Sequence, residues 1–211
     1  MGVPRAIRTE SELTVRPAVG ADEPFLSEML LLAAFPPGSA TPAPEAIDQD
    51  ERLARYLAGW GRAGDAGVIA EAAGQPIGAA WYRRFVAASP GHGFVSEDVP
   101  ELSIAVASAW RGRGVGRALL AALIEAARDG NVPALSLSVS RRNPVAMRLY
   151  RSIGFVSVAG DEEHPTMLLE LAPHSPQAIQ QRTRCGRRCR SGRVGPAPHG
   201  KGRPQQPLSD D

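Results

Sequence analysis

The residues best suited to chemistry lie in one short run, Arg111-Gly112-Arg113-Gly114-Val115-Gly116-Arg117. Three glycines in five positions give the backbone a tight path and allow a ligand to approach it closely. The run opens a helix, whose first amides lack intrahelical partners and carry the positive end of the helix dipole. Such a loop is an anion site of the kind that holds a pyrophosphate, with Arg113 and Arg117 adding charge. A Walker loop is excluded, because it requires Lys-Ser/Thr after its last glycine and this run has no lysine. The dinucleotide fingerprint fails as well. The glycines fall at 112, 114 and 116, and the following strand ends in serines where an acidic residue should meet a ribose.

The elements that must position this loop read as follows. Leu13–Pro17 is a short strand. Asp22 is placed to cap a helix running to about Ala34, with Phe25, Leu26, Met29, Leu30 and Ala33 on one face. A second helix is expected from about Glu45 to Trp60. Val68–Glu71 and Ile77–Val86 pair as strands across the turn Gly74-Gln75-Pro76. Glu101–Ala107 is the strand entering the glycine loop. The helix that follows spans Val115–Asp129, with apolar residues at 115, 118, 119, 122, 123 and 126, and Gly130 stands at its C-cap position. Leu135, Leu137 and Val139 alternate with Ser136, Ser138 and Ser140 as a strand. Asn143-Pro144 caps and opens a short helix that closes at Ile153-Gly154. On that helix Tyr150 shares a face with Ala146, Leu149 and Ile153, a spacing that by itself predicts burial. Phe155–Val158 and Thr166–Leu171 form a last strand pair. The order β-α-α-β-β-β-α-β-α-β-β describes a mixed α/β domain over residues 1–172.

Arg111-x-x-Gly114-x-Gly116 matches the Q/R-x-x-G-x-G/A signature of the GCN5-related N-acetyltransferase (GNAT) superfamily. Ile104-Ala105-Val106 precedes it on a strand, and Asn143, Tyr150 and Gly154-Phe155 follow in the order of that superfamily's second signature. The chain resembles this superfamily over residues 12–171, most specifically over 101–155. The resemblance implies an acyl-CoA N-acyltransferase fold: a mixed, mostly antiparallel sheet with splayed middle strands, flanked by helices. It implies acetyl-CoA as co-substrate, no metal, and direct transfer to a primary amine of a small molecule or peptide. The alternative is an acyl-CoA-binding sensor without turnover.

The same resemblance assigns roles. Backbone groups of Ile104, Ala105 and Val106 would meet the acyl carbonyl and pantetheine. Arg111, Gly112, Arg113, Gly114, Val115, Gly116 and Arg117 would hold the pyrophosphate, and Asn143 would hydrogen-bond the cofactor. Tyr150 would be the general acid, and Glu101, at the start of the cofactor strand, the general base. The signatures look especially like those of the N-terminal acetyltransferases of ribosomal proteins. Those enzymes carry a base glutamate on the next strand, where this chain has Ser138, which argues against carrying over their substrate.

The rest of the composition sets bounds. The net charge of +2 conceals a split. Residues 1–171 carry 16 Arg against 20 carboxylates, while 172–211 carry eight Lys and Arg against two Asp. A nucleic-acid partner is therefore not expected for the folded part. Residues 173–211 are rich in Pro, Gly and Arg and read as a disordered basic tail. Its Cys185 and Cys189, with His174 and His199, have irregular spacing for a metal. His92 and His164 read as surface histidines, and Trp81 and Tyr82 as core. No apolar run reaches membrane-span length and no secretory leader is expected, which points to the cytoplasm. A homodimer is compatible with the sequence.

Overall fold

The computed structural model describes residues 13–35 and 46–171. The basic tail, with Cys185, Cys189, His174 and His199, lies outside the described residues. Seven strands form one sheet in the order β1-β2-β3-β4-β5-β7-β6. They are β1 (Leu13–Pro17), β2 (Ala66–Ala72), β3 (Gln75–Arg83), β4 (Glu101–Val106), β5 (Ala134–Ser138), β6 (Val156–Gly160) and β7 (Pro165–Glu170). Every neighbouring pair is antiparallel except β4 and β5, which run parallel and meet only at Glu101 opposite Ser136.

Two cores cover the two faces. On one lies α4 (Val115–Asp129), whose Leu119, Leu120, Leu123 and Ile124 pack on Val68, Ala80, Leu102, Leu135 and Leu137. The buried stripe of α4 is 115, 119, 120, 123, 124 and 127, turned from the expected one, with Ala118, Ala122 and Ala126 left half-buried. The larger side chains take the sheet-facing positions, each worth about 2 kcal/mol when buried. After α4 the left-handed residue is Asn131 (φ 53) rather than Gly130 (φ −81). On the other face α1 (Glu23–Ala34) buries Leu26, Met29, Leu30 and Leu31 against Ile69, Ala79, Trp81 and Ala105.

Two expectations are corrected. Asp22 precedes α1 but does not cap it with its side chain. Its carboxylate is drawn instead into a two-pronged pair with Arg16, at 2.8 Å on both oxygens, which holds it below the usual carboxylate range. The expected long second helix is two short ones, α2 (Ala46–Gln49) and α3 (Glu51–Ala54). Asp50 is extended and its side chain accepts from Arg52 N, so it starts α3 afresh. The turns after α3 are fixed by Arg83, which is 1% exposed. Its guanidinium donates to Asp65 at 2.6 Å and to the carbonyls of Arg55 (3.0 Å) and Ala58 (2.9 Å).

Candidate active site

Because β4 and β5 touch at one residue pair and then separate, β4 beyond Glu101 has a free edge. Strand amides alternate in direction. Ala107 N donates to Ile77 O of the β3 side, whereas Pro100 O accepts from Ser136 N of β5. The N–H and C=O of Ile104 and Val106 therefore face the gap, and those of Ala105 face β3. Arg111 closes part of this edge by donating its Nε to Val106 O at 3.0 Å. Ile104 N–H, Ile104 C=O and Val106 N–H remain as the groups that the edge offers.

The glycine run sits at the mouth of the gap and starts α4. Gly112 (φ 72) and Gly114 (φ 83) are left-handed, and a Cβ at either would meet no atom within 4 Å. Side-chain-free space thus lies over the first amides of α4, which have no intrahelical acceptors. Val115 is buried and anchors the turn, while Gly116 packs closely on Leu149. Arg113 lies over the Trp110 ring at 5.1 Å, and Arg117 donates to Ser152 Oγ at 2.7 Å. Open space, free amides and flanking guanidinium groups fit a pyrophosphate.

Asn143 is the N-cap of α5 (Pro144–Ile153), its side chain accepting from Ala146 N at 3.1 Å. Tyr150 belongs to the α4-side core, which Ile104 and Val106 join, and its ring lies 5.7 Å from that of Phe155. Burial raises its phenol above the usual range. Among the described residues its hydroxyl makes no hydrogen bond, and it is not sealed from solvent as Trp81 Nε1 and Glu101 Oε2 are. The fold thus gathers Ile104, Val106, Gly112–Arg117 and Tyr150 around the gap.

Glu101 lies on the opposite face, at the point where β4 leaves β5. It is 4% exposed. Its Oε1 accepts from Tyr56 Oη at 2.8 Å, and its Oε2 has no hydrogen bond. Burial pushes its carboxyl up to about 7, against the opposing pull of the Tyr56 hydroxyl and of the Gly93 amide. Tyr56 Oη also accepts from His92 N at 2.8 Å and lies 3.1 Å from His92 Nδ1. The Tyr56 ring is held edge-on to Phe85 at 5.0 Å and stacked on His92 at 6.0 Å.

Tyr56 and His92 escape a reading of the sequence. His92 is exposed, as expected of a surface histidine, but it is tied to Tyr56 through its backbone N–H and its ring. The signal available was its setting, Gly91-His92-Gly93. A Cβ at Gly91 would overlap Glu101 Oε2, and one at Gly93 would collide with the backbone at Leu137 and Ser138. Trp81 and Tyr82 are buried on opposite faces, as core. His164 is exposed. Among the described residues no group of three His, Cys, Asp or Glu is placed to hold a metal, and no helix is long and apolar enough to cross a membrane.

Comparison with known proteins agrees with this architecture. Residues 30–155 match the model of the acetyltransferase (GNAT) family. The ribosomal-protein-alanine N-acetyltransferase of Brucella melitensis is 31% identical, with a TM-score of 0.55 over 75% of this chain and 99% of that one. The Salmonella typhimurium protein yncA, solved with its cofactor acetyl-CoA, is 25% identical, with a TM-score of 0.57 over 77% and 96%. A GCN5-related N-acetyltransferase from Kribbella flavida is 26% identical, with a TM-score of 0.54 over 75% and 98%. An uncharacterized protein of Mycobacterium leprae is 51% identical over 53 residues, and the chain spans only 14% of that relative's length. With a family match over most of the folded part, and a splayed sheet around a glycine-rich helix start, the chain belongs to the GNAT family of acetyltransferases.

Proposed function

We propose that residues 1–172 transfer the acetyl group of acetyl-CoA directly to a primary amine of a small molecule or peptide within a ternary complex. Acetyl-CoA supplies a thioester carbonyl and a thiolate leaving group. The amides of Gly112–Arg117 hold its pyrophosphate, and Asn143 hydrogen-bonds it further along. The N–H groups of Ile104 and Val106 orient and polarise the acyl carbonyl. Tyr150 donates its proton at the sulfur. Glu101 receives the proton that an alkylammonium must lose before it can attack.

The observation that carries this reading is the free edge of β4 beside the open glycine loop that starts α4, with the buried Glu101 at the point of separation. A carboxyl pushed up to about 7 at the start of the splayed strand is matched to proton uptake near neutral pH. The Brucella relative is a ribosomal-protein-alanine N-acetyltransferase. Ser138 at the family's alternative base position moves the proposed acceptor away from that substrate.

The test is a calorimetric titration with acetyl-CoA, followed by thiol release measured against a panel of aliphatic amines, amino acids and peptides with free N-termini. Binding with amine-dependent release is expected, and Tyr150→Phe should slow release by about 10²-fold. Binding without release would replace the transferase by a sensor. No binding would overturn the assignment of residues 104–117.

A further inference from the structure

Glu101 has a proton to collect but no open side. Oε2 lies beneath Gly91, so closely that an added Cβ would overlap it, and the residue is 4% exposed. Oε1 is spanned by the Tyr56 hydroxyl. The loop that roofs the carboxylate is tied down by Arg55 donating to Pro90 O at 2.6 Å and by His92 N donating to Tyr56 Oη. A substrate nitrogen does not reach the carboxylate while this roof is in place. The connected path outward runs through Tyr56 to His92.

The hydrogen bonds along that path have one consistent polarity. A phenol has one proton and two lone pairs. The Tyr56 proton goes to Glu101, and His92 N–H takes one lone pair. The other lone pair faces His92 Nδ1 at 3.1 Å, so the neutral imidazole carries its hydrogen on Nδ1. Nε2 is then the acceptor, on an exposed residue.

We propose that His92 is a catalytic residue whose Nε2 takes the proton from the acceptor ammonium, and that Tyr56 relays it to Glu101. This rests on the transferase reading above and assigns its proton path. One N–H bond of the ammonium breaks as an N–H bond forms at Nε2. The Nδ1 proton passes to Tyr56 Oη while the phenolic proton passes to Glu101 Oε1. Tyr56 ends neutral, His92 has exchanged one neutral tautomer for the other, and Glu101 is a carboxylic acid.

The charges facing His92 favour this direction of flow. Burial, then Arg55, Arg52 and His164, hold its imidazole below the usual range, with Asp50 acting weakly the other way. His92 is thus neutral and ready to accept at pH 7, and the proton settles on Glu101, the stronger base. The imidazolium is avoided throughout.

Two measurements on the full chain test the relay. In ¹⁵N NMR of the imidazoles near neutral pH, His92 is expected as the Nδ1–H tautomer. An Nε2–H tautomer would overturn the proposal, because Tyr56 would then spend its proton on His92 rather than on Glu101. In thiol release with the same amine panel, Tyr56→Phe and His92→Ala should each lose about 10²-fold in kcat. Their affinity for acetyl-CoA should be unchanged, and added imidazole should restore His92→Ala. Wild-type turnover and pH profile in both variants would refute the relay, while loss confined to Glu101→Gln would keep Glu101 as a base reached through water. An unmodified chain that releases no thiol with any amine refutes the transferase reading itself.

Discussion

Glu101→Gln removes a charge that burial makes costly and keeps the shape of the side chain and its acceptor toward Tyr56. The carboxyl moves from an ordinary 4.5 to about 7 on folding. Each unit is worth 1.36 kcal/mol, so the shift amounts to about 3 kcal/mol. Below pH 4.5 both the folded and unfolded chains carry the proton, and parent and variant should be equally stable on this account. Between 4.5 and about 7 the unfolded chain ionises first and the parent loses stability. Above about 7 the loss is complete. At pH 8 Glu101→Gln should therefore be the more stable protein by about 3 kcal/mol, or roughly 6–12 °C in Tm for a chain of this size. Urea and thermal unfolding of both proteins at pH 4.5 and pH 8 provide the measurement. The variant should at the same time lose about 10²-fold in amine-dependent thiol release at pH 8. Equal stabilities at pH 8, or a less stable variant, would refute the picture of a carboxylate held in an unfavourable site. A gain in stability with full turnover would keep that picture and remove Glu101 from the chemistry.

Two further perturbations probe the supports of the site. Arg83→Met should cost about 3–5 kcal/mol in urea unfolding, because it strands the buried Asp65 carboxylate and the carbonyls of Arg55 and Ala58; adding Asp65→Asn should restore part of the loss, and full additivity of the two changes would contradict a direct pair. Gly114→Ala meets no neighbour but must hold φ 83, so a loss of about 1–2 kcal/mol in stability is expected; calorimetry should also show weaker acetyl-CoA binding, and unchanged affinity would mean that the α4 amides do not hold the cofactor.

Much of the architecture was legible because it rests on local rules. The alternation at Leu135, Leu137 and Val139, the Asn143-Pro144 helix start and the glycine run before α4 each specify an element within a few residues of chain. The glycine loop's suitability for an anion follows from backbone freedom and a helix start, both readable locally. Side-chain contacts that periodicity does not encode, some local and some from far along the chain, overrode these signals elsewhere. Asp22 reads as a cap until Arg16 and the strand carrying it are brought beside it. The stretch after Glu45 reads as one helix until Asp50 turns its side chain back on its own backbone and Arg83 gathers the carbonyls that follow.

The sequence by itself determined the family, the sheet's strands and the position of the glycine loop, since these depend on periodicity and spacing along the chain. It nominated Glu101 but gave no reason for a carboxylate there to take up a proton near pH 7. That property arises only when Tyr56, 45 residues upstream, and the Gly91–Gly93 loop close over it and exclude water. Desolvation is a property of the surrounding volume, and residues far apart in sequence fill that volume. The role proposed for His92 was hidden for the same reason: its partner Tyr56 is 36 residues away, and only the folded chain brings the two to 3.1 Å.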